Sequence, residues 1–410
     1  MRAPVSAAMA AEDFSAEAAA IVRSCVHCGF CNATCPTYQL SGDELEGPRG
    51  RIYLIKALLE DGSVGADTRL HLDHCLVCRN CETTCPSGVR YGRLVELVRP
   101  RVLRRAPPPW PSRLLRHALL NVVPYPRRFA PLLAMARWVR PLLPARLAAH
   151  LPPRRAPAPA PRAAPARHAR RVLLLGGCAQ PVLNPAIDAA AVRVFDALGI
   201  ELVRVAGADC CGALAHHLGA EEVARAQARR VIDAWWPALD AGAEAVMVTA
   251  SGCGVQLKEY TDLLRDDATY AERAARIAAL ARDPLELVDA GLLACRLEVS
   301  GVGAVAVQAP CSLQHGQRLG GRLEGLLRAC GFELVPVAES HLCCGSAGSY
   351  ALVHPDQASA LRTRKLGHLM AARPQLVVTA NIGCQTHLAQ AAQVPVRHWL
   401  ELVADCLPDA

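Results

Sequence analysis

Two stretches, Cys25-Val-His-Cys-Gly-Phe-Cys-Asn-Ala-Thr-Cys-Pro36 and Cys75-Leu-Val-Cys-Arg-Asn-Cys-Glu-Thr-Thr-Cys-Pro86, share one spacing. Each places its cysteines and proline alike: Cys25, Cys28, Cys31, Cys35, Pro36 and Cys75, Cys78, Cys81, Cys85, Pro86. Three thiolates two residues apart wrap a turn of chain around three corners of a [4Fe-4S] cube, and the fourth corner is filled from the other run. The spacing therefore predicts one cube on Cys25, Cys28, Cys31 and Cys85 and a second on Cys75, Cys78, Cys81 and Cys35. Proline after the last cysteine turns the chain away and offers no amide hydrogen. Zinc more often takes two Cys-x-x-Cys pairs, and a disulfide framework has no reason to repeat four positions with proline in the same place.

Working outward, 410 residues with 52% hydrophobic content and a mean hydropathy of +0.18 predict two or three globular domains. No window offers the roughly eighteen uninterrupted apolar residues of a membrane span, and Glu12, Asp13 and Glu17 interrupt the alanines where a signal peptide would be apolar. The expected location is cytoplasmic, with any membrane contact peripheral, at the inner face of the cytoplasmic membrane. Nineteen cysteines then read as reduced thiols that bind metal. Sixteen fall in repeated motifs; Cys295, Cys330 and Cys406 are left over and are expected to be small buried hydrophobes. The net charge of +8 is uneven, since no acidic residue lies between Glu96 and Asp188. That basic stretch fits a solvated linker, or a surface for anionic lipid or an acidic partner. Nucleic acid is not expected, because prolines break the stretch up and aromatics are few.

Residues 1–106 predict a helical body around the two runs. Pro48 opens a helix carrying Ile52, Ile55, Leu58 and Leu59 on one face and Gly62 closes it; Tyr91, Leu94, Val95 and Val98 mark another, which Pro100 stops. Residues 107–168 form a basic Pro/Arg-rich segment whose short amphipathic helices suit a partner, a membrane surface or, first among these, the protein's own body, followed by a linker at 152–165.

Beyond the linker the chain repeats itself over 169–300 and 301–410. Each copy reads strand, helix, strand, helix, strand, which predicts an α/β domain with a parallel sheet. Cys178, Cys210, Cys211 and Cys253 recur as Cys311, Cys343, Cys344 and Cys384, each at or beyond the carboxyl end of a strand, where open α/β sheets place their ligand sites. Four thiols per copy predict a further cluster or zinc. The fold class is thus α+β and multidomain: an all-helical body with two [4Fe-4S] motifs, then two repeated α/β domains.

With these residues in hand, the chain resembles the iron–sulfur subunits of bacterial glycolate oxidase (glycolate dehydrogenase). It also resembles a wider group with two ferredoxin runs and paired Cys-Cys-Gly (CCG) domains, found in anaerobic glycerol-3-phosphate dehydrogenase, lactate-utilisation complexes and heterodisulfide reductase. The closer likeness rests on Cys25 to Cys31, Gly42-Asp-Glu-Leu-Glu-Gly-Pro-Arg-Gly-Arg-Ile-Tyr-Leu-Ile-Lys56, Cys78 to Pro86, Cys210-Cys-Gly-Ala-Leu-Ala-His-His217 and Thr379-Ala-Asn-Ile-Gly-Cys-Gln385. One departure stands out: Gln256 and His387 replace the last cysteine of the wider group's motif, against a five-thiolate cluster. His387 reads as a ligand or a helix-surface histidine, and His216 and His217 as cluster-tuning or solvated side chains.

The resemblance implies that FAD-containing flavoprotein subunits oxidise glycolate to glyoxylate and that this chain passes the electrons to a membrane quinone or other acceptor. No strand here leads into a G-x-G-x-x-G helix opening, so no FAD or NAD site, and no substrate site, is expected on the chain itself. The alternatives are the same role for lactate or glycerol 3-phosphate, or a zinc-binding structural scaffold.

Overall fold

The computed structural model describes residues 3–142, 151 and 168–408, so the expected linker at 152–165 lies outside the described residues. The helical body holds α1 (Ser15–Ser24), α2 (Pro48–Asp61), α3 (Ala66–Asp73) and α4 (Tyr91–Arg105). α2 begins at Pro48, where a missing amide costs nothing, and ends at Gly62 in a left-handed conformation. Its Ile52, Ile55, Leu58 and Leu59 share one core with Leu94, Val95 and Val98 of α4.

α4 departs from expectation by running through Pro100 to Arg105. Tertiary contacts on either side of the proline hold these turns. Arg99 Nη2 donates to the carbonyls of Leu72 (2.9 Å) and Cys75 (2.7 Å), and Arg101 pairs with Glu221 at 2.9 Å and Asp13 at 3.0 Å. The next two helices, α5 (Trp110–Val122) and α6 (Pro126–Trp138), are longer than their prolines suggest: Pro111 and Pro126 sit in first turns, and α6 continues through Pro131. Packing against the protein's own body covers one side only: of their residues, Arg116, Leu119 and Leu133 alone are buried.

The first repeat contains β1 (Arg170–Leu174), α7 (Ala186–Ala197), β2 (Ile200–Arg204), α8 (Glu221–Asp240), β3 (Ala245–Met247), α9 (Ser251–Lys258) and β4 (Ala281–Arg282). The second contains β5 (Val305–Gln308), α10 (Arg322–Ala329), β6 (Leu334–Val335), α11 (Pro355–Met370), β7 (Leu376–Thr379), α12 (Ile382–Ala389), β8 (Val396–His398) and α13 (Trp399–Asp405). Both sheets are parallel, in the orders β2-β1-β3-β4 and β6-β5-β7-β8. The fourth strands, β4 and β8, are additions to the sequence reading. Two or three residues long, they carry too little pattern to announce themselves.

The strand order reverses between β1 and β3, and between β5 and β7, opening a crevice at their carboxyl ends. The copies also exchange helices. α13 of the second packs on α7 of the first, while Pro284–Leu287, after β4, packs on α10. Trp399, Leu400 and Val403 are thereby buried in one core with Ile187, Ala191 and Phe195, each such side chain contributing about 1.5–3 kcal/mol.

Candidate functional site

In both runs the backbone is forced into the same unusual shape. His27 and Gly29 in the first, and Val77 and Arg79 in the second, have φ of 57°, 84°, 50° and 60°. For a β-branched residue such as Val77 this is a strained conformation, costing about 1–3 kcal/mol, that persists only where its surroundings demand it. It curls each run around a hollow; the Val77 amide donates to Cys75 Sγ at 3.4 Å.

One hollow is lined by Cys25, Cys28, Cys31 and Cys85, with Cys81 on its wall. The other is lined by Cys35, Cys75, Cys78 and Cys81. Pro48, Cys81 and Tyr91 line both, so the two are immediate neighbours. Burial first, then the nearby Cys25, pushes the Cys31 thiol up to about 11, and burial drives Cys78 and Cys81 well above the usual thiol range. Only bound metal would draw these protons off at neutral pH. Tyr91 adds a second sign of fit for a cluster: its hydroxyl is buried without a hydrogen-bond partner among the described residues.

Around the second hollow stands a charged group that cysteine spacing does not reveal. Arg51 is buried, pairs with Glu46 at 2.8 Å and donates to Thr37 Oγ1 at 3.2 Å; Thr37 Oγ1 lies 3.3 Å from Cys35 Sγ. Burial opposes the Arg51 charge, but Tyr91, Cys75, Cys35 and Glu46 outweigh it and hold it above the usual arginine range. The other oxygen of Glu46 meets His71 and His74 at 2.8 and 2.7 Å. Glu46 and Arg51 both belong to the Gly42–Lys56 phrase, which marked the stretch but assigned it no role.

At the strand ends the eight repeated thiols of the two copies come together two by two. Cys311 Sγ lies 3.7 Å from Cys343 Sγ, and Cys344 Sγ 3.2 Å from Cys384 Sγ. In the first copy Cys178 faces Cys210 and Cys211 faces Cys253, and these contacts, with burial, raise Cys210 and Cys211 well above the usual thiol range. The glycine of each Cys-Cys-Gly is required: Gly212 and Gly345 have φ of 89° and 91°, and a Cβ on Gly345 would lie 2.6 Å from the Ala358 carbonyl. Among the described residues no three Cys, His, Asp or Glu side chains converge on a point where a single metal ion would touch them all.

The second copy's thiols adjoin the ferredoxin runs. Leu76, Cys78, Cys311, Cys343 and Tyr350 form one apolar cluster, and Thr83 Oγ1 meets His315 Nδ1 at 2.9 Å.

The histidines and one leftover cysteine sit differently from expectation. His387 is no helix-surface residue: it is buried, with Nε2 on the Ala358 carbonyl at 3.2 Å. His216 is buried and bonded to Gln256 at 3.1 Å, so the two positions singled out separately in the sequence touch each other. His217 is half-buried and neutral, pushed down to about 3 by burial and then by His216, Arg99 and Arg79. Cys330 and Cys406 are buried as expected, whereas Cys295 is exposed because it follows a short surface helix, Ala290–Ala294.

Comparison with known proteins agrees with this layout. Residues 21–89 match the 4Fe-4S dicluster domain family, and residues 172–258 and 305–389 match the cysteine-rich domain family. The chain is 52% identical over 394 residues, 95% of each chain, to the glycolate oxidase iron–sulfur subunit of Escherichia coli. It is 31% identical to the probable glycolate oxidase iron–sulfur subunit of Bacillus subtilis over 88% of this chain and 87% of that one. Lactate utilization protein A of Shouchella clausii is 26% identical over 52% of this chain and 87% of its own.

Proposed function

The chain belongs to the family of glycolate oxidase iron–sulfur subunits, and from that premise we propose that its cysteines form a route for single electrons between FAD-containing partner subunits and a quinone or other acceptor at the membrane. When bound, [4Fe-4S] clusters supply one-electron carriers. Cys25, Cys28, Cys31 and Cys85 hold one, and Cys75, Cys78, Cys81 and Cys35 the other. The observation that carries this reading is the crossing of the fourth cysteines: Cys85 lines the hollow of the first run, and Cys35 that of the second.

The two hollows differ in access. Cys28 is exposed, and Val26, Phe30 and Tyr53 stand out of the surface around it, an apolar rim on which a flavoprotein can seat close to the first ligand set. Cys75 and Cys81 are buried. Glycolate is oxidised on the partner, so the chain needs no substrate site of its own. The Cys311, Cys343, Cys344 and Cys384 thiols, beside Cys78, extend the route if they hold a further cluster.

Cys28→Ser and Cys78→Ser test the reading in the assembled enzyme. Each is expected to stop electron delivery to an external acceptor while glycolate still reduces the flavin. Unchanged acceptor turnover in either variant would sink the assignment.

A further inference from the structure

The outer side of the α5–α6 hairpin is the most apolar exposed surface among the described residues. Trp110 is 74% exposed and Leu114 61%, one turn apart on α5; Met135, Trp138 and Leu142 are 58%, 80% and 84% exposed at a spacing of three to four residues along α6 and the turn after it. Seven of the fifteen exposed large apolar side chains among the described residues fall between Trp110 and Leu142, a density that scattered surface hydrophobes do not reach. Arg113, Arg127, Arg128 and Arg140 are exposed beside them, and no carboxylate occurs between Glu96 and Asp188.

We infer that this face docks on an anionic lipid bilayer. An apolar stripe flanked by arginines, with tryptophans near both ends, matches the headgroup boundary: apolar side chains enter the acyl region, indoles settle at the interface and guanidinium groups meet phosphate. The hairpin lies on the membrane, since no helix of the described residues is long and apolar enough to cross one. A segment with this many arginines and no acid has its best complement in a sheet of phosphates.

The inference rests on the reading that electrons leave toward a membrane acceptor, and it adds the side from which they leave. On the inner face of α5, Arg116 pairs with buried Asp73, two residues before Cys75. Docking therefore brings the second ligand set, rather than exposed Cys28, toward the lipid.

The test is co-sedimentation of the full chain, alone and in the assembled enzyme, with phosphatidylglycerol-containing vesicles and with phosphatidylcholine vesicles. The wild type is expected to bind the anionic vesicles, less at high salt, with a roughly tenfold or greater loss of affinity in Met135→Glu/Trp138→Glu and in Arg127→Glu/Arg128→Glu. Both variants should keep their iron and their electron delivery to a water-soluble acceptor. Loss of that delivery in the variants alone would make the hairpin a support of the sites and overturn the inference, whereas a wild type that delivers no electrons to that acceptor would count against the cysteine route. Equal binding by variants and wild type overturns the inference. So does loss of partner subunits from the variants, which would make the face a protein interface.

Discussion

Arg51 shows what a single buried charge does beside thiolates. A cluster held by four cysteines carries net negative charge, more so when reduced, and a guanidinium fixed nearby favours the reduced state. Arg51→Gln is expected to shift the second centre to a more negative potential, seen by redox titration followed by electron paramagnetic resonance, with Arg51→Lys restoring most of the shift. A potential unmoved in Arg51→Gln, with iron content intact, would remove Arg51 from that role. The substitution also leaves Glu46 buried without its partner, a loss of about 3–5 kcal/mol for such pairs, which His71 and His74 partly offset. The gathering of the eight cysteines of the two runs around two hollows was legible because its signal is local spacing. Arg51 and Tyr91 were not, because their meaning lies in what the fold brings to them across distances in the chain.

Among the elements, the joint between the two copies turns on His398, at the start of α13. Its Nε2 donates to the Thr249 carbonyl of the first copy at 3.1 Å, and its Nδ1 accepts from the Leu400 amide at 3.3 Å. That arrangement demands a neutral ring, and burial pushes the imidazole down to about 4. Because the folded value lies below the unfolded one of about 6.5, the unfolded chain binds the extra proton. The contribution is therefore full above about pH 6.5 and drains away as pH falls toward 4. His398→Asn, which keeps a capping side chain, is expected to flatten the fall in thermal midpoint between those pH values; an equally steep fall would place the acid sensitivity elsewhere. The main strands and the 133-residue offset of Cys178 and Cys311 were readable from short continuous apolar runs and repeated cysteines. β4, β8 and the continuation of α4 past Pro100 were not, since pairing with a neighbouring strand and the anchoring of Arg99 and Arg101 decide them.

Across the whole molecule the sites are contiguous. The first hollow shares Cys81 with the second, and the second shares an apolar cluster with Cys311 and Cys343. The first copy joins through Ser251 and Ser312, whose hydroxyls meet at 2.7 Å. Helix exchange through α13 fixes the two sheets in one core, so the spacing between sites is set by packing rather than by a linker. The most direct test of the central claim is the iron, acid-labile sulfide and zinc content of the chain purified without oxygen, beside its Cys85→Ser and Cys311→Ser variants. The account predicts at least about eight irons with matching sulfide per chain, and a loss in Cys85→Ser that falls on the centre of Cys25, Cys28 and Cys31. Zinc without sulfide, or an iron content that Cys85→Ser leaves untouched, would contradict it.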